Sequence, residues 1–397
     1  MKKLLKSLLS QQTMNYFYHL PKAVLANFIY GFPTRKLKVI GITGTDGKTT
    51  TTNMVYQIIK NSGKKVSMIS SVNAVISGKS YDTGFHVTSP DPFTLQKLAS
   101  QAKNDEYLVL EVTSHALDQY RAWGIKFDVG IVTNITHEHL DYHKTLINYL
   151  NTKLKLLKEV KFAIVNFNLK DKIKKVGGKK IITFGMEKGD FNQKDVCFKL
   201  KLAGDYNIEN ALASLACAFV LDIDKKIARK TLEEFFGVKG RMEEIKNNKN
   251  IRVVVDFAHT PNALLQALTA LKKTTKGRLI AVFGAAGKRD VGKRKIMGKI
   301  AAQKANITVI TAEDPRGELD LIIRQITSGA YESGARDGIN LFIVKDRAEA
   351  INFAIKTLAK RGDTVGIFGK GHELSMNIDG REEIPWSDID VAKKALD

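Results

Sequence analysis

The 397-residue chain is expected to be an α/β protein with mostly parallel sheets. Three observations point there. Short β-branched runs alternate with amphipathic stretches of helical period from residue 37 onward. The first run ends in a glycine-rich turn that opens a helix. The length exceeds what one ordinary core accommodates, so two or three domains are expected. Strand candidates are 37–42, 66–70, 108–111, 129–133 and 163–166, resuming at 253–256, 279–283, 307–311, 341–344 and 364–368. Helical stretches at 49–60, 145–159, 261–273 and 347–360 lie between them. This alternation places helices on both sheet faces and sites at the carboxyl ends of strands. It pauses near 170–240, where a basic, glycine-containing stretch (170–180) is followed by Gly237 and Gly240 bracketing a linker, so a domain boundary is set near 238.

Composition narrows the class. A hydrophobic fraction of 44% and a charged fraction of 26% are those of a soluble globular chain. The two cysteines, Cys197 and Cys217, lack metal-ligand spacing, which argues against a disulfide framework or a zinc site and fits a reducing compartment. Both are read as small packed apolar residues. The net charge of +22 suits polyanions, whether nucleotides, nucleic acid or an anionic membrane. The lysines are scattered in pairs and no nucleic-acid-binding motif is found, so a solvated basic surface is the plainer reading. No apolar run reaches 18 residues, and Lys6 and Ser7 interrupt the apolar start of MKKLLKSLLSQQ, so a cytoplasmic protein is expected.

The strongest local signal is GITGTDGKTTT, residues 41–51. Gly44 and Gly47 allow backbone N–H groups to converge on phosphate oxygens, with Thr45, Asp46 and Thr50 completing the loop. Lys48 neutralises the β- and γ-phosphates, the Thr49 hydroxyl can ligate Mg²⁺, and the helix N-terminus adds partial positive charge. Ile42 departs from the commoner glycine spacing of a P-loop. Glu111 ends an apolar strand where a carboxylate can hold a metal, or simply be a strand-end charge. In TNITHEHLDYH (133–143) His137 and His139 lack zinc-helix spacing. A histidine, a carboxylate and a P-loop threonine suit Mg²⁺ completed by substrate phosphate.

Gly-Thr-Asp-Gly-Lys-Thr, Glu-Val-Thr-Ser-His-Ala-Leu and Thr-Asn-Ile-Thr-x-x-His-Leu-Asp-Tyr-His together resemble the Mur ligase family. The likeness continues through LAGDYNIENALA (202–213), GRMEEI (240–245), VVVDFAHTPNAL (253–264), FGAAGKRDVGKRKIMG (283–298), EDPRGE (313–318), DRAEA (346–350) and GKGHE (369–373). It implies a P-loop central domain at 37–237 and a Rossmann-like α/β carboxyl-terminal domain at 238–397 that binds an amino acid. It implies an ATP-dependent ligase that adds the third amino acid to a muramoyl-L-alanyl-D-glutamate precursor in peptidoglycan biosynthesis.

By the same resemblance, Lys48 and Thr49 hold the triphosphate, and Glu111 and His139 are Mg²⁺ ligands. Lys153 is the position of a CO₂-derived carbamate bridging a second Mg²⁺. Its chemistry requires a site favouring the neutral amine, although Lys155 nearby has equal claim from the residues alone. Asn210 would contact adenine, Arg241 a phosphate and Asp256 the ribose, with His259 beside the nucleotide; Asp256 is also readable as a cap for the helix from 261. Thr88, Ser89, Thr113, Gln119 and Arg121 match positions holding the muramoyl dipeptide. Arg289, Glu313, Asp314, Arg316, Gly369 and Glu373 match those holding the incoming amino acid. Arg316 suits the distal carboxylate of meso-diaminopimelate. Members selecting that substrate commonly read Asp-Asn-Pro-Arg, whereas this chain reads Glu-Asp-Pro-Arg, so L-lysine stays open.

The chemistry expected is acyl phosphate formation at a substrate carboxylate followed by attack of the incoming amine, within a monomer whose domains close around it. Rivals are another Mur-type ligase with a different carboxylate substrate, a folylpolyglutamate-synthase-like enzyme, an amidating relative, and a nucleic-acid-binding P-loop ATPase. Family members usually carry a separate amino-terminal domain for uridine diphosphate. Here only the short basic, aromatic segment 1–36 stands before the first strand, read either as helices packed on the core or as a peripheral membrane anchor through 1–34. The substrate's handle, nucleotide or lipid, therefore stays open.

Overall fold

A computed structural model describes residues 10–81, 89–173, 180–195 and 199–397. The chain divides into two compact units.

The first unit comprises Met1–Ile135, Thr145–Leu200 and Asn207–Phe235. Its sheet contains β1 (Lys38–Thr43), β2 (Val66–Ile69), β3 (Ala74–Ile76), β4 (Lys79–Tyr81), β5 (Tyr107–Glu111), β6 (Phe127–Val132), β7 (Phe162–Asn166) and β8 (Lys180–Phe184). The order is β4-β3-β2-β5-β1-β6-β7-β8. All neighbours from β2 to β8 pair in parallel, and only the β2–β3–β4 edge is antiparallel. Every residue of β2 and β5 is buried, which is why these strands read as continuous apolar runs. The helix Lys48–Asn61 follows β1 and buries Met54, Val55, Ile58 and Ile59 on one side. Before β1, a π-helical turn at Asn15–His19 leads into the helix Leu20–Ile29. That helix packs by small residues, Ala23, Ala26 and Asn27. The Asn27 amide donates to Trp123 O at 2.8 Å, and a Cβ at Gly124 would lie 2.5 Å from Asn27 Oδ1.

The second unit comprises Thr136–Lys144, Lys201–Tyr206 and Phe236–Asp397. Its main sheet contains β9 (Glu243–Ile245), β10 (Arg252–Asp256), β11 (Leu279–Phe283), β12 (Ile307–Ile310), β13 (Leu341–Ile343) and β14 (Thr364–Phe368), ordered β13-β12-β11-β14-β10-β9. All pairs are parallel except β9 with β10. A small ribbon of β15 (Ser375–Met376) and β16 (Ile384–Pro385) follows. Helices Gly292–Lys304 and Leu319–Tyr331 meet where Gly298 and Gly329 face the opposite backbone; a Cβ at either would stand 1.9 Å from a carbonyl oxygen. Arg347 and Asp388, both fully buried, form a bidentate pair at 2.7 and 2.8 Å. The same guanidinium donates to Ala312 O and Phe368 O, tying the ends of β12 and β14 together.

All ten expected strands are present. The expected pause at 170–240 is filled instead by β8 and by helices Asp205–Val220 and Lys225–Glu234. The helix expected at 145–159 is Leu146–Leu154 with a 3₁₀ turn Lys155–Leu157, and that expected at 347–360 becomes π-helical at Phe353–Leu358. Among the described residues no helix is long and apolar enough to cross a membrane.

Candidate active site

In the first unit β1 delivers the chain into a loop that only glycine fits at two points. Gly44 has φ 151° and a Cβ there would meet Thr133 Oγ1 at 1.8 Å; Gly47 has φ 81° and would meet Asn210 Oδ1 at 2.3 Å. The loop is pinned from β6's end: Thr45 N donates to Asn134 O, Asp46 N to Asn134 Oδ1 and Thr133 Oγ1 to Asp46 O, all within 2.9 Å. Asn210, on the helix Asp205–Val220, also accepts from Thr51 Oγ1 at 3.2 Å. Lys48 opens the next helix and its ammonium donates to Thr45 O.

Beside the loop lies a buried oxygen cluster. Glu111, at the end of β5 and 1% exposed, accepts from Thr49 Oγ1 through both carboxylate oxygens at 3.1 Å. It also accepts from the Ser71 N–H and hydroxyl at 2.9 and 3.0 Å, and Ser71 Oγ lies 3.0 Å from Thr49 Oγ1. One carboxylate and two hydroxyls are a hard-oxygen set of the kind Mg²⁺ takes when phosphates and water supply its remaining ligands. Ser71 escaped the sequence reading; its only signal was its place just after a strand end.

The structure separates the two helix lysines. Lys153 is buried, donates to Gly44 O at 2.6 Å and sits over the Tyr149 ring, while Lys155 pairs with Asp118 at 3.0 Å. Tyr149's hydroxyl in turn reaches Thr45 Oγ1 at 3.2 Å. Four of the five dipeptide candidates also come together. Ser89 Oγ contacts Thr113 at 3.2 Å, and Arg121 donates to Ser89 O at 2.8 Å and through Nε and Nη2 to Gln119 Oε1. Thr88 lies outside the described residues.

The second unit holds the other candidates in two groups. Asp256 ends β10 and accepts from the amides of Met242 and Ala258 at 2.8 and 2.9 Å. Burial raises its pKa, against the opposing pull of Arg241. It does not cap the following helix; Thr260 does, accepting from Ala263 N. Arg241 stacks on Phe257 at 4.4 Å, and the rings of His259 and His372 flank the same phenyl. His139 adopts φ 55° at the head of a short turn, with Nδ1 3.8 Å from Glu138. The structure places it in this unit, so it does not join Thr49 and Glu111 within one unit.

The second group surrounds Lys370, fully buried although absent from the sequence-based candidates. Its ammonium donates to Asp314 Oδ1 at 3.0 Å and to the Glu373 carboxylate. Burial opposes this charge, but Glu373 and Asp314 outweigh it and hold the lysine above its usual pKa. Asp314 Oδ1 also accepts from Asn377 N at 3.0 Å, and Oδ2 lies 3.5 Å from Arg316. Arg316 sits at φ 50°. Glu313 is buried, its Oε2 has no hydrogen-bond partner, and burial pushes its pKa up to about 7 despite Lys293, Arg347 and Lys370. Gly369 exists as glycine because a Cβ would meet that oxygen at 2.5 Å. Arg289 is exposed on the loop after β11. Lys370's signal was its place in GKGHE, between two residues that were singled out.

Residues 42–218 match the Mur ligase middle domain, and residues 240–371 the Mur ligase, glutamate ligase domain. The UDP-N-acetylmuramoyl-L-alanyl-D-glutamate–2,6-diaminopimelate ligase 1 of Clostridium acetobutylicum is 39% identical, over 94% of this chain and 81% of its own length. The like-named ligase of Aquifex aeolicus is 36% identical over 94% and 80%. A solved UDP-N-acetylmuramoyl-L-alanyl-D-glutamate–2,6-diaminopimelate ligase superposes with a TM-score of 0.57 at 28% identity, over 91% of this chain and 79% of that one. MurF from Thermotoga maritima in complex with ADP gives 0.68 at 20% identity, over 95% and 83%, a likeness of fold. The chain belongs to the Mur ligase family.

Proposed function

We propose that this ligase joins meso-diaminopimelate to the D-glutamyl carboxylate of a muramoyl-L-alanyl-D-glutamate precursor, using ATP and Mg²⁺, in peptidoglycan synthesis. The relatives' names support the reaction. Within the chain, the observation that carries the choice of amino acid is the state of Asp314. A bare distal ammonium, as in L-lysine, would need a carboxylate to receive it. Asp314 is already neutralised by Lys370 and bonded by Asn377 N, with Arg316 at its other oxygen. Glu373 is engaged by Lys370 in the same way, so what the cluster offers a distal group is the Arg316 guanidinium, a fork suited to a carboxylate.

The roles proposed for the other residues come from the family resemblance, with their placement in each unit as support. The loop amides and Lys48 bind the triphosphate, while Thr49, Ser71 and Glu111 would hold Mg²⁺, which would supply charge neutralisation at the phosphates. Charge developing on the γ-phosphoryl group as the substrate carboxylate attacks is met by Lys48 and the helix N-terminus. Ser89, Thr113, Gln119 and Arg121 orient the dipeptide end. Lys153, buried beneath Gly44, is the carbamate position. Arg241, Asp256 and His259 are assigned to the nucleotide, as are Asn210 and the loop threonines, and His139 to a metal.

The test is turnover of meso-diaminopimelate against L-lysine. Wild type should prefer diaminopimelate, and Arg316→Ala should cost about 2–5 kcal/mol in kcat/KM for it, the range for losing one partner of a desolvated pair. A lysine preference untouched by Arg316→Ala would overturn the substrate assignment while leaving the ligase activity standing.

A further inference from the structure

The helical arm before β1 carries its amphipathicity reversed. Helix Leu20–Ile29 turns Ala23, Ala26 and Asn27 inward, yet leaves Leu25, Phe28 and Ile29 exposed at 54, 65 and 59%. The turn before it adds Phe17 at 73%, with Tyr16 and Tyr18 also exposed. Tyr18, Pro21, Leu25, Phe28 and Ile29 recur at i, i+3, i+7, i+10 and i+11, which places them on one helix face. None of the five is charged. A helix whose outer face met only water would carry polar residues there. A contiguous apolar patch of this kind marks a docking surface.

The surrounding charge indicates what covers it. Residues 1–45 contain no Asp or Glu, whereas Arg35 sits over the Phe32 ring that packs on Phe28, Lys36 and Lys38 next in the chain are exposed, and Lys22 stands on the helix itself, 3.3 Å from Asp91. A second copy docked symmetrically would set these cations against their equivalents, with no acid from the segment to offset them. An anionic bilayer satisfies both features: aromatic and aliphatic side chains enter the headgroup boundary and the cations meet lipid phosphates. We propose that the face formed by Phe17, Tyr18, Leu25, Phe28 and Ile29 docks the enzyme on an anionic membrane surface. The contact is interfacial, since no described helix is long and apolar enough to span.

The experiment uses the full chain and co-sedimentation with phosphatidylcholine vesicles, with and without about 30 mol% phosphatidylglycerol. Wild type should bind the anionic vesicles, less tightly as salt rises. Leu25→Ser/Phe28→Ser/Ile29→Ser should weaken binding at least about tenfold with ligase turnover unchanged, because these side chains are exposed and belong to none of the candidate site groups. Arg35→Gln/Lys36→Gln should weaken it less and flatten the salt dependence. Unchanged binding by the triple variant would overturn the proposal and assign the attraction to the diffuse +22 charge. So would absence of wild-type binding, or a patch-dependent dimer in light scattering without vesicle affinity, which would make a second copy the occupant.

Discussion

The phosphate loop of the first unit and the Lys370 cluster of the second are built on opposite plans. The loop is local: one stretch, 41–51, supplies the glycines, the lysine and the threonine, and the fold adds Thr133, Asn134 and Asn210 to brace it. Its recognition elements are backbone amides, with few buried charges. The cluster is assembled from 313–316, 347, 370–377 and 388, and works through buried charges that neutralise one another. The difference teaches that a contiguous site can be read from a motif, whereas a charge network shows its members only once the sheet brings the ends of β12 and β14 together.

The largest effect that would sharpen this contrast is at the loop. Lys48→Ala should lower Mg²⁺-dependent ATP turnover by at least about 10²–10³-fold with little change in melting temperature, since Lys48 is half-buried at the first position of its helix and not in the core. Lys153→Ala should be comparably inactive, with partial rescue by short carboxylic acids if a carbamate stands there. Wild-type turnover in Lys48→Ala would remove the phosphate-binding assignment.

The cluster should respond first in stability. Asp388→Ala strands a fully buried Arg347 and should cost about 3–5 kcal/mol in denaturant unfolding, because the desolvated guanidinium keeps its charge without its partner. A loss below about 1 kcal/mol would mean that water enters the site and that the pair is not the clamp described.

Legibility followed the same division. Strands buried along most of their length announced themselves as apolar runs, and all ten expected strands are present, although the five-residue β8 gave no such signal. The helix Asp205–Val220 did not, because positions 210–218 are buried consecutively and the pattern has no polar face to set its period. The edge strands β4 (KSY) and β9 (EEI) are three residues each with little apolar character, and β3, next to the edge, is equally short. Among site residues, Ser71 and Lys370 were missed because hydroxyls and lysines are abundant, and only Glu111 at one position and Asp314 with Glu373 at the other give them meaning. Lys153 and Lys155 were indistinguishable until burial separated them. Most of the other assignments rested on resemblance to a family, which reads the answer from many motifs at once.

The finest test of the contrast is the titration of Glu313, which has no counterpart in the phosphate loop. Burial raises its carboxyl from an ordinary 4.5 to about 7. In the unfolded chain the group releases its proton near 4.5, so between roughly pH 4.5 and 7 the folded state binds more protons than the unfolded one. Stability attributable to this group is therefore full below pH 4.5 and declines as pH rises, the loss being complete above about 7. Glu313→Gln keeps the shape and removes the titration. Its unfolding free energy should thus fall less between pH 5 and 8 than that of the wild type, by no more than about 3 kcal/mol, with the two curves closest at the acid end. Neighbouring Lys293, Arg347 and Lys370 pull the other way, favouring the ionised form, so the measured difference also reports how far they offset burial. Parallel curves would show that Glu313 ionises as freely in the fold as in water. The cluster would then be wet, and its charges would not be the buried network that sets it apart from the amide-built loop.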